Sequence, residues 1–178
     1  MNKNKTSVTR LIQLLDKPAL MKWANKIGLN GIKLSEFRKQ STSHGTNLHK
    51  QIESYLMDST PFEDKMFGEN FMYFFRDKEI IEFEKDIENE YFTGRFDIKF
   101  KYKDLIYIAD FKTNAKGVYF EHKLQLSAYR MASGCDKVAI VSIPDFRFYN
   151  IDIEDHKPYE EIMISLSNIF SIKAVLGC

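Results

Sequence analysis

The sequence predicts an α+β fold, in which helices come first and are followed by strands that alternate with further helices. Apolar residues recur at helical spacing up to about residue 75, and from Glu79 onward they recur at every second position. The chain has 178 residues, of which 44% are hydrophobic, and this suffices for the core of one domain. We therefore expect a single domain over 1–178, with a helical N-terminal part at 1–78 and a sheet core at 79–178.

Three or four helices are expected before the first strand. An apolar turn at 11–15 is followed by a second helix at 17–28, which Pro18 can begin and a glycine can close. Either Ser41 or Ser43 can start the next helix. An aromatic helix is then predicted around 67–75.

The remainder of the chain reads as three strands, a helix, two strands and a helix. Alternating apolar residues mark each strand, and a tight turn at Lys103 and Asp104 joins the second strand to the third. The predicted elements are strands near 79–87, 96–102 and 105–112, a helix at 121–134, strands at 137–143 and 146–153, and a helix that begins near Pro158. The order is β-β-β-α-β-β-α.

Cysteine content and hydropathy exclude several classes of protein. The chain has only two cysteines, and their spacing fits neither a disulfide framework nor a zinc site, which favours a reducing, cytoplasmic setting. No apolar run is long enough to span a membrane, and the first residues lack the apolar segment of a signal peptide. We expect a soluble protein with no membrane partner.

The net charge of +1 conceals an asymmetry between two stretches of the chain. Residues 1–53 hold ten lysines or arginines and three acidic residues, whereas residues 58–91 hold eleven acidic residues and four basic ones. A basic N-terminal third can face a polyanion such as nucleic acid. Solvated helix faces would explain the same charges equally well.

Two carboxylates and a lysine stand at the ends of neighbouring strands. Asp110 and Lys112 share one face of the strand at 105–112, and a short hairpin brings Asp97 of the preceding strand close to them. Carboxylate oxygens at a strand end can hold Mg²⁺, and an adjacent ammonium can neutralise phosphate or orient a water. An ordinary ion pair at the end of a strand would show the same pattern.

Two helices carry further polar candidates. His49 and Glu53 lie one turn apart on one helix face, where a histidine can bind a metal and a glutamate can orient it. Gln125 and Tyr129 are likewise one turn apart, and an amide and a phenol can hydrogen-bond phosphate or water. Structural or solvated roles are the alternative for both pairs. His44 precedes a glycine and is expected to lie in a loop.

The combination of these segments is more specific than each part. In order, "GTNLHKQIE", "GRFD", "IADFKT" and "LQLSAY" resemble the motifs of the PD-(D/E)XK nuclease superfamily, in particular its RecB-like and phage exonuclease branch, which includes the mitochondrial genome maintenance exonuclease. The opening segment "SVTRLIQLLDKPALMKWANKIG" also resembles phage-encoded members. The similarity covers most of residues 7–132.

The resemblance implies a restriction-endonuclease-like core with a mixed β-sheet flanked by helices. It also implies that Mg²⁺ or Mn²⁺ is bound by His49, Asp97, Asp110 and the backbone carbonyl of Phe111. Lys112 would be the catalytic lysine and Glu53 would support His49. Gln125 and Tyr129 match the QxxxY motif of the branch, which lies near the substrate phosphate.

A further acidic residue before Asp97 can join such a metal site, and Glu88 is one candidate among several. Members of the branch that carry an iron–sulfur cluster use four cysteines, so no cluster is expected here. The chain lacks a GxxxxGK[ST] phosphate loop, and any ATP-driven unwinding must come from a partner.

The expected function is metal-dependent hydrolysis of DNA, by an exonuclease that acts on single strands or free ends in recombination, repair or replication. The expected setting is the cytoplasm of a bacterial host or phage-infected cell, where recombination or replication proteins are candidate partners. Aromatic side chains that could stack on unpaired bases are Trp23, Phe71, Tyr73, Phe74 and Phe75. Two alternatives are a structure-selective endonuclease or nickase on the same fold, and a nucleic-acid-binding or protein-interaction module without catalysis.

Overall fold

The computed structural model of the chain describes residues 5–15, 18–30, 33–113, 115–151 and 156–177. The chain divides into two compact units. The sheet unit consists of Met1–Leu14 and Glu63–Cys178, and the helical unit consists of Leu15–Phe62. The expectation of one domain over 1–178 stays a prediction.

The sheet unit contains one five-stranded mixed sheet. Its strands are β1 (Glu79–Glu88), β2 (Thr93–Tyr102), β3 (Leu105–Thr113), β4 (Lys137–Ile143) and β5 (Arg147–Asn150), and they lie side by side in chain order. Only β3 and β4 run parallel, because α5 (Phe120–Ser133) crosses over between them, and the other neighbours are antiparallel. The predicted order of strands and helices and the predicted mixed sheet flanked by helices are confirmed.

Phenylalanines cover one face of the sheet. Helix α4 (Lys65–Phe75) begins at Asp64, whose side chain caps the Phe67 N–H at 3.1 Å, and it turns a row of aromatic side chains toward the strands. Phe75 packs edge-on against Phe100 of β2 with ring centroids 5.7 Å apart. These contacts bury the aromatic helix that the sequence predicts near 67–75, and the core on this face is built from it.

Helices cover the other face. Helix α5 packs on β3 and β4, and both α1 (Val8–Ile12) and α6 (Lys157–Leu176) pack against α5. Gly134 ends α5 in the left-handed conformation, with φ of 65°, as the sequence predicts for a C-terminal glycine. Asp97 and Asp110 lie on this face of the sheet, because each alternates with fully buried neighbours on the other face.

The second and third strands separate where Asp97 and Asp110 stand. Their ladder runs from the pair Tyr102–Leu105 to the pair Ile98–Ala109 and ends there. The neighbouring ladders continue, since β1 and β2 stay paired as far as Thr93 and β3 and β4 as far as Thr113. We call the space between the diverging ends, bounded by residues 94–97 and 110–113, the fork.

The helical unit contains α2 (Pro18–Leu29) and α3 (Leu34–Asp58). Helix α3 begins seven or more residues before either serine that was expected to start it, so His44 lies within a helix, and its predicted loop is wrong. Gly45 does not break the helix, because glycine in a helix interior costs only about 1 kcal/mol relative to alanine. Within the described ranges, no helix combines the length and apolar character that a bilayer crossing requires.

Candidate active site at the fork

Asp97 holds the backbone of β3 where the strand ladder has ended. Its Oδ2 accepts a hydrogen bond of 2.6 Å from the Phe111 N–H, a group that β2 would otherwise have paired. Asp97 is half-buried, and burial of its carboxyl group raises its pKa well above the ordinary value. The negative charge of Asp110 raises it further, while the Phe111 N–H opposes the shift in part. The positive charge of Lys112 also opposes the shift.

Asp110 and Lys112 form an ion pair on the same face of β3, as their spacing predicts. Nζ of Lys112 contacts Oδ2 of Asp110, whose side chain is only 4% exposed, whereas that of Lys112 is 34% exposed. Burial alone would lower the pKa of Lys112, but the negative charges of Asp110 and Asp97 outweigh it and raise this pKa above the ordinary value. The ammonium form is thus held at neutral pH.

Gln125 joins this pair to helix α5. Its Nε2 donates to Oδ1 of Asp110 at 3.0 Å and to the phenolic oxygen of Tyr129 at 2.9 Å, which uses both of its N–H groups. A carboxylate can only accept, so Asp110 determines which end of the amide faces it. Burial, then the charge of Asp110, raises the pKa of Tyr129, so the phenol stays neutral and can donate its proton.

Gly94 leaves room for the Tyr129 ring. A Cβ atom at residue 94 would lie 2.9 Å from Cε1 of Tyr129, closer than real Cβ contacts come. The glycine of the "GRFD" segment is therefore a packing requirement of the tyrosine in "LQLSAY". The ring also lines a cleft of about 660 Å³, together with side chains of β1, β2 and the N-terminal segment: Ser7, Val8, Thr9, Asp86, Ile87, Glu88, Thr93 and Arg95.

Glu84 is an acidic residue of the fork region that the sequence did not single out. It stands opposite Asp97, since its neighbours pair as Phe83–Ile98 and Lys85–Phe96. The hairpin register would have found it, because counting back from the turn places residue 84 against residue 97. Glu88, the acidic residue named from the sequence, instead forms an ion pair with Lys5.

His122 lies one turn before Gln125 on α5 and was also missed. Its Nδ1 accepts the Tyr119 N–H at 3.3 Å, so in the neutral ring Nε2 carries the proton. Burial and the positive charge of Lys112 lower the pKa of His122. This histidine is consequently an uncharged N–H donor at neutral pH.

The remaining predicted residues fall into two groups. Phe111 is at the fork, and its N–H points toward β2, where it donates to Asp97. In an extended strand the N–H and the carbonyl of one residue point to the same side, so the Phe111 carbonyl also points toward β2. His49 and Glu53 lie one turn apart in α3, in the helical unit. Their part in a metal site stays a prediction.

The aromatic candidates for base stacking are mostly core residues. Phe71, Phe74 and Phe75 are buried, so the stacking role is wrong for these three. Tyr73 is 68% exposed, and the Arg76 guanidinium lies over its ring at 3.7 Å from the centroid. The Trp23 side chain lies outside the described residues.

The oxygen donors at the fork suit a hard divalent cation. Carboxylate and carbonyl oxygens are the ligands that Mg²⁺ and Mn²⁺ take in proteins. Oδ2 of Asp110 is buried, and it contacts the Lys112 ammonium as an ion pair. A cation bound at this oxygen would share it with the ammonium or replace the ammonium there.

Comparisons with known proteins find similarity among solved structures. No protein-family model and no curated protein matches the chain. Among solved structures, the chain is similar to one described as "Crystal structure of SSO0001", with 17% sequence identity and a TM-score of 0.47. The alignment covers 95% of this chain and 78% of that chain.

Proposed function

We propose that this protein is a divalent-metal-dependent deoxyribonuclease, and specifically an exonuclease that hydrolyses phosphodiester bonds in single-stranded DNA or at DNA ends. The observation that carries the proposal is the connected set of polar groups at the fork. Asp97 binds the Phe111 backbone, Asp110 pairs with Lys112, and Gln125 links Asp110 to Tyr129. Carboxylates, an ammonium and neutral donors on one face are what phosphodiester hydrolysis needs.

Asp97 and Asp110 would hold the cation, together with the Phe111 carbonyl. His49, supported by Glu53, is the further ligand that the resemblance predicts. When bound, the cation would lower the pKa of a water molecule and neutralise charge on the phosphate. The raised pKa of Asp97 fits this arrangement, because a carboxylate among negative charges is stabilised by a positive ion.

Lys112 would act as a cation rather than as a base. Its pKa is raised, so it retains its proton at neutral pH, and 34% of its side chain is exposed and can meet a substrate. An ammonium here neutralises a nonbridging phosphate oxygen as negative charge develops in the transition state. Orienting the attacking water is a second task compatible with a protonated lysine.

Gln125 and Tyr129 would position the substrate backbone. Gln125 donates one N–H to Asp110 and the other to the Tyr129 hydroxyl oxygen. The Tyr129 hydroxyl accepts this bond, so its own proton can be donated to a substrate phosphate. The cleft beside the Tyr129 ring is of a size that admits a nucleotide. We assign it to the strand next to the scissile phosphate.

Cleavage of end-labelled DNA tests the proposal. Linear single-stranded, linear double-stranded and closed circular DNA are incubated with Mg²⁺, Mn²⁺ or EDTA, and each end is labelled in turn to give the polarity. The variants are Asp110→Asn and Lys112→Met, with Asp104→Asn as the matched control, because Asp104 lies in the exposed β2–β3 turn. We expect metal-dependent loss of linear DNA, abolished in both fork variants and retained in the control.

The rival functions give other results. Cut or nicked closed circles would favour a structure-selective endonuclease or nickase at the same residues. DNA binding without cleavage under either metal would favour a catalytically silent binding module. The proposed setting is the cytoplasm of a bacterial or phage-infected cell, with recombination or replication proteins as partners.

A further inference from the structure

His122 lies on the face of α5 that is turned toward the fork. It precedes Gln125 by three positions and Tyr129 by seven, so the three side chains share one helix face. Gln125 donates to Asp110 at 3.0 Å, which fixes this face against β3. The charges of Lys112 and of Asp110 both act on the imidazole of His122. The ring is therefore near the Lys112 ammonium.

The two ring nitrogens of His122 have different surroundings. Nδ1 accepts the Tyr119 N–H at 3.3 Å and so caps the first turn of α5. Nε2 carries the proton of the neutral ring, and within the described ranges it donates to no other group. The residue is half-buried, and Nε2 is not sealed from solvent. His122 thus combines a structural bond at one nitrogen with an accessible donor at the other.

A phosphate suits the space beside this donor. The Lys112 ammonium is partly exposed and can meet a ligand there. A second positive charge beside it would be repelled, and Lys112 together with burial indeed lowers the pKa of His122, so the ring stays neutral. An ammonium and a neutral N–H are complementary to the nonbridging oxygens of a phosphate, which only accept hydrogen bonds.

We propose that His122 donates from Nε2 to a nonbridging oxygen of the phosphate that Lys112 neutralises, which makes it a further catalytic residue of the fork. This inference rests on the proposed function, because it needs a phosphodiester at Lys112. The ammonium supplies charge from β3, and the imidazole supplies a directed hydrogen bond from α5. Contacts from two elements would fix the orientation of the phosphate for attack.

Two substitutions separate the bonds of the two nitrogens. In His122→Asn the amide oxygen can take the place of Nδ1, so the bond from the Tyr119 N–H is kept and the Nε2 donor is lost. In His122→Gln the longer side chain can place its amide N–H near the position of Nε2, so a donor is kept and the cap is weakened. Cleavage of single-stranded DNA with Mg²⁺ gives kcat and KM, and thermal unfolding gives the melting temperature of each variant.

We expect His122→Asn to retain the wild-type melting temperature and to lose about ten- to a hundredfold in kcat/KM, as for a hydrogen bond to a charged group. His122→Gln should melt at a lower temperature and yet cleave faster than His122→Asn.

Wild-type kcat/KM in His122→Asn would overturn the assignment and leave His122 as a helix cap, with the proposed function intact. Activity that falls in step with the melting temperature across the two variants would overturn it as well. A wild type that cleaves no DNA with Mg²⁺ or Mn²⁺ would overturn the proposed function, and this inference with it.

Discussion

Replacing Gly94 with alanine tests whether close packing positions Tyr129. The added Cβ would lie 2.9 Å from Cε1 of Tyr129, whereas an ordinary contact begins at 3.4 Å. Tyr129 is 2% exposed and its hydroxyl is hydrogen-bonded to Gln125, so the ring cannot turn without losing contacts. The ring must therefore be pushed away from β2, and its hydroxyl moves with it.

The size of the effect follows from two contributions. Overpacking in a filled core costs about 1–3 kcal/mol. Displacement of the ring also weakens the hydrogen bond of 2.9 Å from Gln125, which contributes about 1 kcal/mol. We expect Gly94→Ala to lower the free energy of unfolding by about 2–3 kcal/mol, and to reduce cleavage because the support of Asp110 through Gln125 is disturbed.

Urea denaturation of a double-mutant cycle isolates the contact. In a Tyr129→Leu background the ring is absent, so we expect Gly94→Ala to cost less than about 1 kcal/mol there. Gly28→Ala is the matched control, because a Cβ at residue 28 meets nothing within 4 Å, and it should not destabilise the protein. Equal costs of Gly94→Ala in both backgrounds would refute the packing argument.

Three further outcomes are expected, two for residues of the fork and one for the proposed binding of DNA. The pKa of Asp97 is raised on folding, so this carboxyl stabilises the protein at low pH, and its contribution is lost as the pH rises through the folded-state pKa. In EDTA, the free energy of unfolding of the wild type should therefore increase as the pH falls from neutral toward the ordinary pKa of 3.8. Asp97→Asn should remove this dependence and be more stable than the wild type at neutral pH in urea unfolding; a less stable variant would contradict the raised pKa. Lys112→Met removes the cation that is adjacent to the buried Asp110. We expect the free energy of unfolding in urea to fall by about 1–3 kcal/mol, and an unchanged free energy of unfolding would contradict this account of the ion pair. Binding of single-stranded DNA by Asp110→Asn, measured by fluorescence anisotropy, should weaken steeply with salt, by a log–log slope of about −0.7 per phosphate contacted; an affinity independent of salt would exclude the basic N-terminal third as the DNA track.

Much of the fold was predictable because apolar periodicity records which face of each element is buried. The alternation in β2 and β3 predicted that Asp110 and Lys112 share a face, and the tight turn at Lys103 placed Asp97 opposite Asp110. The start of α3 was not predictable in this way. Serine is a good N-cap but is also tolerated inside a helix, so Ser41 and Ser43 gave a false boundary.

The finer parts of the site depend on geometry that no local pattern contains. Glu84 was missed because several acidic residues lie near it in the sequence, and only the register of β1 against β2 places it opposite Asp97. The hydrogen bond from Gln125 to Asp110 depends on how α5 crosses the sheet, which is decided by packing across the whole unit. The roles of Gly94 and His122 likewise require knowledge of what lies beside them.

The end of the β2–β3 ladder makes one backbone proton a reporter of the site. Amides further along β3 are protected from exchange with solvent by strand pairing, but the Phe111 amide is protected by the side chain of Asp97. Exchange at Phe111 therefore follows the state of a single carboxylate rather than the opening of the sheet. A cation that draws Oδ2 of Asp97 away would speed the exchange of this amide alone, and occupancy of the fork would become measurable in a protein that turns over no substrate.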